Sequence, residues 1–286
     1  MTETTLASLL SPVAPTWCAG CGNFSILTAV KQALVELQLA QEEVTIVFGI
    51  GCSGNTADFI KCQGLHALHG RALANAIGIK LANHRQKVIV IGGDGDLYGE
   101  GLNHLLEACR GNHDVTALVF NNHRYSLTTG QTSPTSAKGT VGKSTPQGVL
   151  EIPFEALGTA VLNGAGFVAR AYAGRLPAMT ELVKQAIMYE GFALVDVLQP
   201  CPTFNKAQDY AWYQEHIVEL PAAHDPSRKE QALAVALDQS KLSCGLLYQA
   251  TEAAVYHQAL PVLQDKTLVE QFPKEVSLEE AMKEFI

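Results

Sequence analysis

Two strand-like runs end in residues that could hold a cation and a phosphate. The run Val88-Ile89-Val90-Ile91 passes into Gly92-Gly93-Asp94-Gly95-Asp96, and Val115 to Phe120 passes into Asn121-Asn122. Each is an apolar, β-branched stretch that stops at an oxygen-rich tip, the pattern of a buried parallel strand. Open α/β sheets bind ligands at the carboxyl ends of their strands. A carboxylate and an amide oxygen on neighbouring tips suit a hard cation such as Mg²⁺, which takes few protein oxygens and completes its shell with phosphate. The glycines let backbone N–H groups come close to a diphosphate. The plain alternative is two strand ends with Asp and Asn serving as turn formers.

Cysteine supplies the second set. Seven are present, at 18, 21, 52, 62, 109, 201 and 244. An odd number in a reducing compartment is not a disulfide framework. Cys18-Ala19-Gly20-Cys21 is a Cys-x-x-Cys just ahead of a helical pattern, and Cys52 and Cys201 each follow a strand pattern directly. Parallel strands point the same way, so Cys52 and Cys201 belong at the edge that carries Asp94 and Asn122. Four thiolates there fit a [4Fe–4S] cluster or a tetrahedral zinc. Cys62, Cys109 and Cys244 read as small buried hydrophobes. His69 is expected to contact phosphate, the alternative being a satisfied core histidine. Arg71 binds phosphate or pairs with an acid. Lys138 and Lys143 touch the phosphates of a ligand or lie on a solvated loop.

These groups need a scaffold, and the hydrophobic pattern supplies one. Helical periodicity runs over 23–39, 70–83, about 99–110, 154–162 and 177–189; strands are expected at 44–49, 88–92, 115–120, 167–172 and 192–198. Alternating strands and helices mean a doubly wound parallel α/β sheet. Residues 128–150 lack apolar periodicity and form a loop too long for a plain connector. The expected organisation is an N-terminal arm (1–16), a binding domain (17–205) and a C-terminal extension (206–286) that wraps the core or a partner. The 286 residues are 47% hydrophobic, with a net charge of −8. The acidic balance argues against nucleic-acid binding or attraction to anionic membranes. With no apolar run of bilayer length and no signal pattern, the expected location is the cytoplasm.

Taken together, the segments resemble the β subunit of the 2-oxoacid:ferredoxin oxidoreductases. The matching stretches are Trp17 to Asn23 (WCAGCGN), Gly49 to Gly54 (GIGCSG), Leu68 to Ala72 (LHGRA), Gly92 to Asp96 (GGDGD), Asn121 to Ser136 (NNHRYSLTTGQTSPTS) and Cys201 to Asn205 (CPTFN). They fall within residues 12–215 in the family's order. The resemblance implies the sheet of thiamine-diphosphate-binding type. It implies a [4Fe–4S] cluster on Cys18, Cys21, Cys52 and Cys201, and Mg²⁺ on Asp94, Asn122 and the backbone carbonyl of Arg124. Thiamine diphosphate would be lined by Ile50, Gly51, Cys52, Ser53, His69, Gly95, Asp96, Ser126 and Leu127. The implied reaction is oxidative decarboxylation of a 2-oxoacid, 2-oxoglutarate or pyruvate first, with coenzyme A, to acyl-CoA and CO₂. Electrons leave through the cluster to ferredoxin.

Three positions depart from the family's usual residues: Ala19 replaces Pro, Ser126 replaces Gly, and Thr129 stands where many members have Lys. Ser126 adds a hydroxyl near the diphosphate; Thr129 removes a charge near substrate. Nothing marks the glutamate that activates the aminopyrimidine ring, so that group is expected from an α (or fused γ-α) partner subunit in a dimer of αβ pairs. The rival readings are a non-redox thiamine-diphosphate decarboxylase or synthase subunit with a structural metal at the cysteines, and a non-catalytic subunit without cofactor.

Overall fold

Strands with apolar side chains on both faces need helices on both sides, and the chain provides them. The computed structural model describes residues 3–238 and 240–271, with Glu279, Met282 and Lys283. Its strands are β1 (Val44–Phe48), β2 (Gln63–His66), β3 (Lys87–Gly93), β4 (Thr116–Asn121), β5 (Arg124–Tyr125), β6 (Gln131–Thr132), β7 (Phe167–Tyr172), β8 (Ala193–Leu198), β9 (Ile217–Glu219) and β10 (Leu242–Gln249). Its α-helices are α1 (Asn23–Glu36), α2 (Ala72–Ala82), α3 (Leu102–Gly111), α4 (Ala156–Leu162), α5 (Leu176–Met188), α6 (Tyr210–His216), α7 (Lys229–Leu237) and α8 (Leu268–Gln271). The main sheet has the order β2-β1-β3-β4-β8-β7-β10-β9. From β2 to β7 every pairing is parallel; β10 joins β7 antiparallel.

Alternation along each strand divides the core in two. Ile46, Phe48, Ile89, Ile91, Leu118 and Phe120 face α1 and α5. Val47, Val88, Val90, Ala117 and Val119 face α2, α3 and α4. This sandwich fixes the carboxyl ends of β1, β3, β4 and β8 along one edge.

Two elements differ from the sequence expectation. β2 is an exposed edge strand built from Gln63, Gly64, Leu65 and His66, with no apolar run to announce it. The extension after residue 205 does not simply wrap the core, because β9 and β10 complete the sheet and α7 packs on α4. Leu247 of β10 is fully buried in the second core. The signal was faint because Gly245 and a bulge between Leu246 and Tyr248 break the alternation of β10. Cys109 and Cys244 are buried among apolar neighbours, and Cys62 packs against the first core. Among the described residues no helix is long and apolar enough to cross a membrane.

If β10 belongs to the sheet rather than to a separate cover, Leu247→Ala should cost about 2–5 kcal/mol of global stability. Urea unfolding should then shift as one transition; a separate early transition for the C-terminal region would contradict this placement.

Candidate functional site

Asp94 directly follows β3 and caps a π-helical turn, Gly95–Glu100. Such turns concentrate at functional positions because they re-aim the backbone. The Asp94 carboxylate is buried. Ser133 Oγ and Thr135 Oγ1 donate to its Oδ2 at 2.5 and 2.6 Å. Burial pushes its pKa up to about 6, against the lowering effect of the two hydroxyls. Both donors come from the 128–150 loop, which is an ordered structure. It starts with the β5–β6 hairpin. Further on, Gly139 N–H donates to the Val149 carbonyl and Val149 N–H to that of Thr140.

The tip of β4 is held as closely. The Asn122 side-chain oxygen accepts the Arg124 N–H at 2.9 Å, and its carbonyl accepts Asn205 Nδ2 at 3.0 Å. His123 between them has φ 59°. It is half-buried, with Nδ1 3.0 Å from the Thr135 carbonyl, and desolvation drives its pKa down to about 4. Asn121 faces inward. Its Nδ2 donates to Asp196 Oδ1 at 3.1 Å, its Oδ1 accepts from His123 N at 3.3 Å, and Thr135 Oγ1 lies 3.0 Å from that oxygen, its single hydrogen serving either Asn121 or Asp94. Tyr98 also donates to Asp196 Oδ1 at 3.0 Å. A buried chain of polar groups thus runs from Asp94 through Thr135 and Asn121 to Asp196 and Tyr98. The sequence reading missed this chain. Its one available signal was a lone Asp inside the apolar β8.

Across the cavity lies the loop after β1. Gly51 has φ 105°, and a Cβ there would meet nothing within 4 Å, so its backbone faces open space. Ser53 Oγ is buried and has no hydrogen-bond partner among the described residues. Asp96, also buried, accepts Gly70 N–H at 2.7 Å and Ile50 N–H at 3.2 Å. Its carboxylate therefore ties two loops together. His69 Nδ1 lies 3.2 Å from Asp96 and 3.1 Å from Glu100. Arg71 donates at 3.3 Å to the Gly70 carbonyl rather than to an acid. Gly95 is required by packing: a Cβ would sit 2.3 Å from the Tyr125 ring. Ile50, Gly51, Cys52, Ser53, His69, Gly95, Asp96, Ser126 and Leu127 all line one cavity with Asp94, Asn122 and Arg124.

Cys18, Cys21, Cys52 and Cys201 line a second cavity of about 230 Å³, closed by Trp17, Pro202 and Phe204. Burial pushes Cys21 up to about 12 and Cys52 up to about 11, and the charges of the other thiols in the set push in the same direction. Among the described residues no three His, Cys, Asp or Glu side chains form a group that could hold a metal ion as they stand. The two cavities share a wall made of Cys52, Asn122, Ser126, Leu127 and Gln199. Lys138 lies at a separate cavity with His123, Arg170 and Trp212.

Similarity to known proteins agrees with this geometry. The family model described as thiamine pyrophosphate enzyme, C-terminal TPP binding domain, matches residues 49–197. The model for the C-terminal part of the pyruvate ferredoxin oxidoreductase β chain matches 201–265. A 2-oxoacid:ferredoxin oxidoreductase subunit β from Saccharolobus solfataricus is 41% identical over 258 residues, 85% of each chain. The chain belongs to the family of 2-oxoacid:ferredoxin oxidoreductase β subunits. A 2-oxoglutarate synthase subunit KorB from Methanocaldococcus jannaschii is 35% identical over 222 residues, 75% of this chain and 82% of that one. The solved 2-oxoglutarate:ferredoxin oxidoreductase from Magnetococcus marinus superposes with a TM-score of 0.90 at 34% identity, covering 99% of this chain and 96% of that one. As a β subunit the chain is part of an enzyme and has an α subunit as its partner.

The buried chain behind the strand tips should be measurable by itself. Tyr98→Phe leaves Asp196 without one of its donors and should cost roughly 1.5–3 kcal/mol, the range for a hydrogen bond to a charged group. In a double-mutant cycle the loss should shrink when Asp196 is already Asn. Equal losses in both backgrounds would mean that the two groups are not coupled.

Proposed function

We propose that this β subunit, in the cytoplasm and paired with its α (or fused γ-α) subunit, oxidatively decarboxylates a 2-oxoacid. Coenzyme A takes the acyl group, and electrons pass through a [4Fe–4S] cluster to ferredoxin. 2-Oxoglutarate stands ahead of pyruvate as substrate: the Magnetococcus marinus neighbour is described with 2-oxoglutarate, coenzyme A and succinyl-CoA bound. The observation that carries the reading is the shared wall. A cavity suited to a diphosphate and its cation lies directly against a cavity lined by four thiols, with Cys52, Asn122 and Ser126 facing both. The competing reading, a non-redox subunit with a structural metal, gives no chemical reason for that contact.

The residues present fit the implied groups. Asp94 is a buried carboxylate without a salt bridge among the described residues, which suits a divalent cation. Both hydroxyl bonds land on Oδ2, leaving Oδ1 to the metal. The Asn122 amide oxygen and the Arg124 carbonyl complete the protein share of an oxygen shell. Ser53 Oγ, buried and unpartnered among the described residues, and the open face of Gly51 would meet phosphate oxygens. His69, Gly95, Leu127 and the Ile50–Ser53 loop line the path of the cofactor. Cys18, Cys21, Cys52 and Cys201 would hold the cluster. When bound, thiamine diphosphate supplies the carbon nucleophile and electron sink for decarboxylation, and the cluster accepts electrons one at a time.

This chain's part is to hold the diphosphate end, exclude water and keep the two groups adjacent. All the residues assigned lie between 17 and 205, which we take as the binding unit. None of them is a glutamate placed to activate an aminopyrimidine, so the partner supplies that group. Purified with its partner, the chain should reduce a viologen with 2-oxoglutarate in a coenzyme-A-dependent reaction. Alone, reconstituted with iron and thiamine diphosphate, it should bind cofactor but not turn over. Full turnover by this chain alone would overturn the half-site reading.

Asp94 gives a pH signature. Its ordinary pKa of 3.8 is raised to about 6, so below that pH the carboxyl is protonated and a cation must displace the proton. Mg²⁺ affinity in the presence of thiamine diphosphate should be constant above pH 7 and fall about tenfold per pH unit well below pH 6. Asp94→Asn should flatten that dependence and weaken Mg²⁺ throughout. Calorimetric titration of the complex with Mg²⁺ measures both effects, and an unaltered pH profile in the variant would remove Asp94 from the site.

A further inference from the structure

Two of the four thiols are met by hydrogen-bond donors that diphosphate binding does not explain. Ser126 Oγ lies 3.4 Å from Cys201 Sγ, and both residues are buried. Gln199 Nε2 donates to Cys21 Sγ at 3.3 Å and to the Pro200 carbonyl at 2.8 Å. The Pro200 carbonyl can only accept, so it fixes the amide with its NH₂ toward the sulfur. Cys21 has a further donor in the backbone N–H of Asn23, at the start of α1. Between a hydroxyl and a free thiol either atom can donate. Once Cys201 is a metal-bound thiolate it has no proton, and Ser126 must be the donor.

We propose that Ser126 and Gln199 donate hydrogen bonds to the Cys201 and Cys21 thiolates and thereby raise the reduction potential of the cluster. Ser126 is the position at which this chain sets the value. The inference rests on the cluster assignment made above. Reduction adds one electron to the cluster, supplied in the reaction by the decarboxylated substrate. No bond to Ser126 or Gln199 forms or breaks, and each proton stays on its donor. The added electron increases negative charge on the sulfurs, so a fixed donor stabilises the reduced state more than the oxidised one. Burial strengthens the effect because water does not compete for the sulfur.

The Ser126 hydroxyl sits where the two cavities meet, and it has a single hydrogen. It can donate to sulfur or to a phosphate oxygen, not to both at once. Its position therefore places one hydroxyl between the thiol cavity and the diphosphate cavity. Glycine has no donor to offer there, so the backbone turn, in which Thr129 N–H donates to the Ser126 carbonyl, would be kept while the sulfur contact was lost.

The test is an EPR-monitored redox titration of the complex with its partner subunit, with iron content and thiamine diphosphate affinity measured on the same samples. Ser126→Ala should keep full iron and lower the one-electron reduction equilibrium about tenfold, a shift of about 59 mV to more negative potential. Ser126→Thr, which retains the hydroxyl, should stay within twofold of the wild type. Gln199→Leu should shift the equilibrium in the same direction. An unchanged potential in Ser126→Ala, with weakened thiamine diphosphate binding, would assign the hydroxyl to the diphosphate and overturn the proposal. Absence of an iron–sulfur signal from the wild-type complex, or its persistence in Cys201→Ser, would overturn the cluster assignment itself.

Discussion

The structure is organised around a carboxylate buried at the end of a parallel strand without a cation beside it. Removing a charge from water costs several kcal/mol unless it is compensated. Asp94 is buried, has no salt bridge among the described residues, and takes two hydroxyl donors on one oxygen. Those hydroxyls only partly offset the burial, which is why its pKa stays raised. The residual demand for positive charge is what a divalent cation would satisfy. The surrounding loops are arranged to keep that demand in place: Ser133 and Thr135 come from a loop closed by its own backbone bonds, and Thr135 also contacts Asn121 and His123.

The same edge explains why the thiols are where they are. Cys52 follows β1 and Cys201 follows β8, and both strands end at the edge where Asp94 and Asn122 end. The Cys18–Cys21 loop reaches the same place because α1 starts there, with Gly22 N–H bonded to the Pro200 carbonyl. Parallel pairing converts residues far apart in sequence into neighbours across one wall. In the proposed reading, electron transfer between the two groups then needs no moving part from this chain.

Apolar side chains stay exposed beside the site. Leu68 and Leu127 stay largely exposed beside buried machinery, and β2 leaves an unpaired strand edge nearby. Exposed apolar side chains beside a binding cavity suit a surface that another chain covers. An α subunit is the partner the family supplies, and in the proposed reading this chain presents half of a cofactor site to it.

Residue pattern was enough to locate the central strands, the main helices and the polar residues gathered at the strand tips. Val88–Ile91 and Val115–Phe120 are apolar on both faces, so they had to be central, and parallel strands had to bring Asp94, Asn122, Cys52 and Cys201 to one edge. Short-range periodicity carries that information directly. It does not carry contacts that depend on distant segments meeting. Nothing near Ser133 or Thr135 says that they bond Asp94, 39 and 41 residues away. Asp196 reads as an oddity inside an apolar strand until Tyr98 and Asn121 are seen to surround it. β10 was hidden because Gly245 and a bulge erase its alternation, and only the free edge of β7 gives it a place to pair. Ser126 looked like a diphosphate neighbour; its distance to Cys201 is a property of two loops packed together. Those pairings were settled by burial, which leaves each polar group only the partners that folding brings within reach.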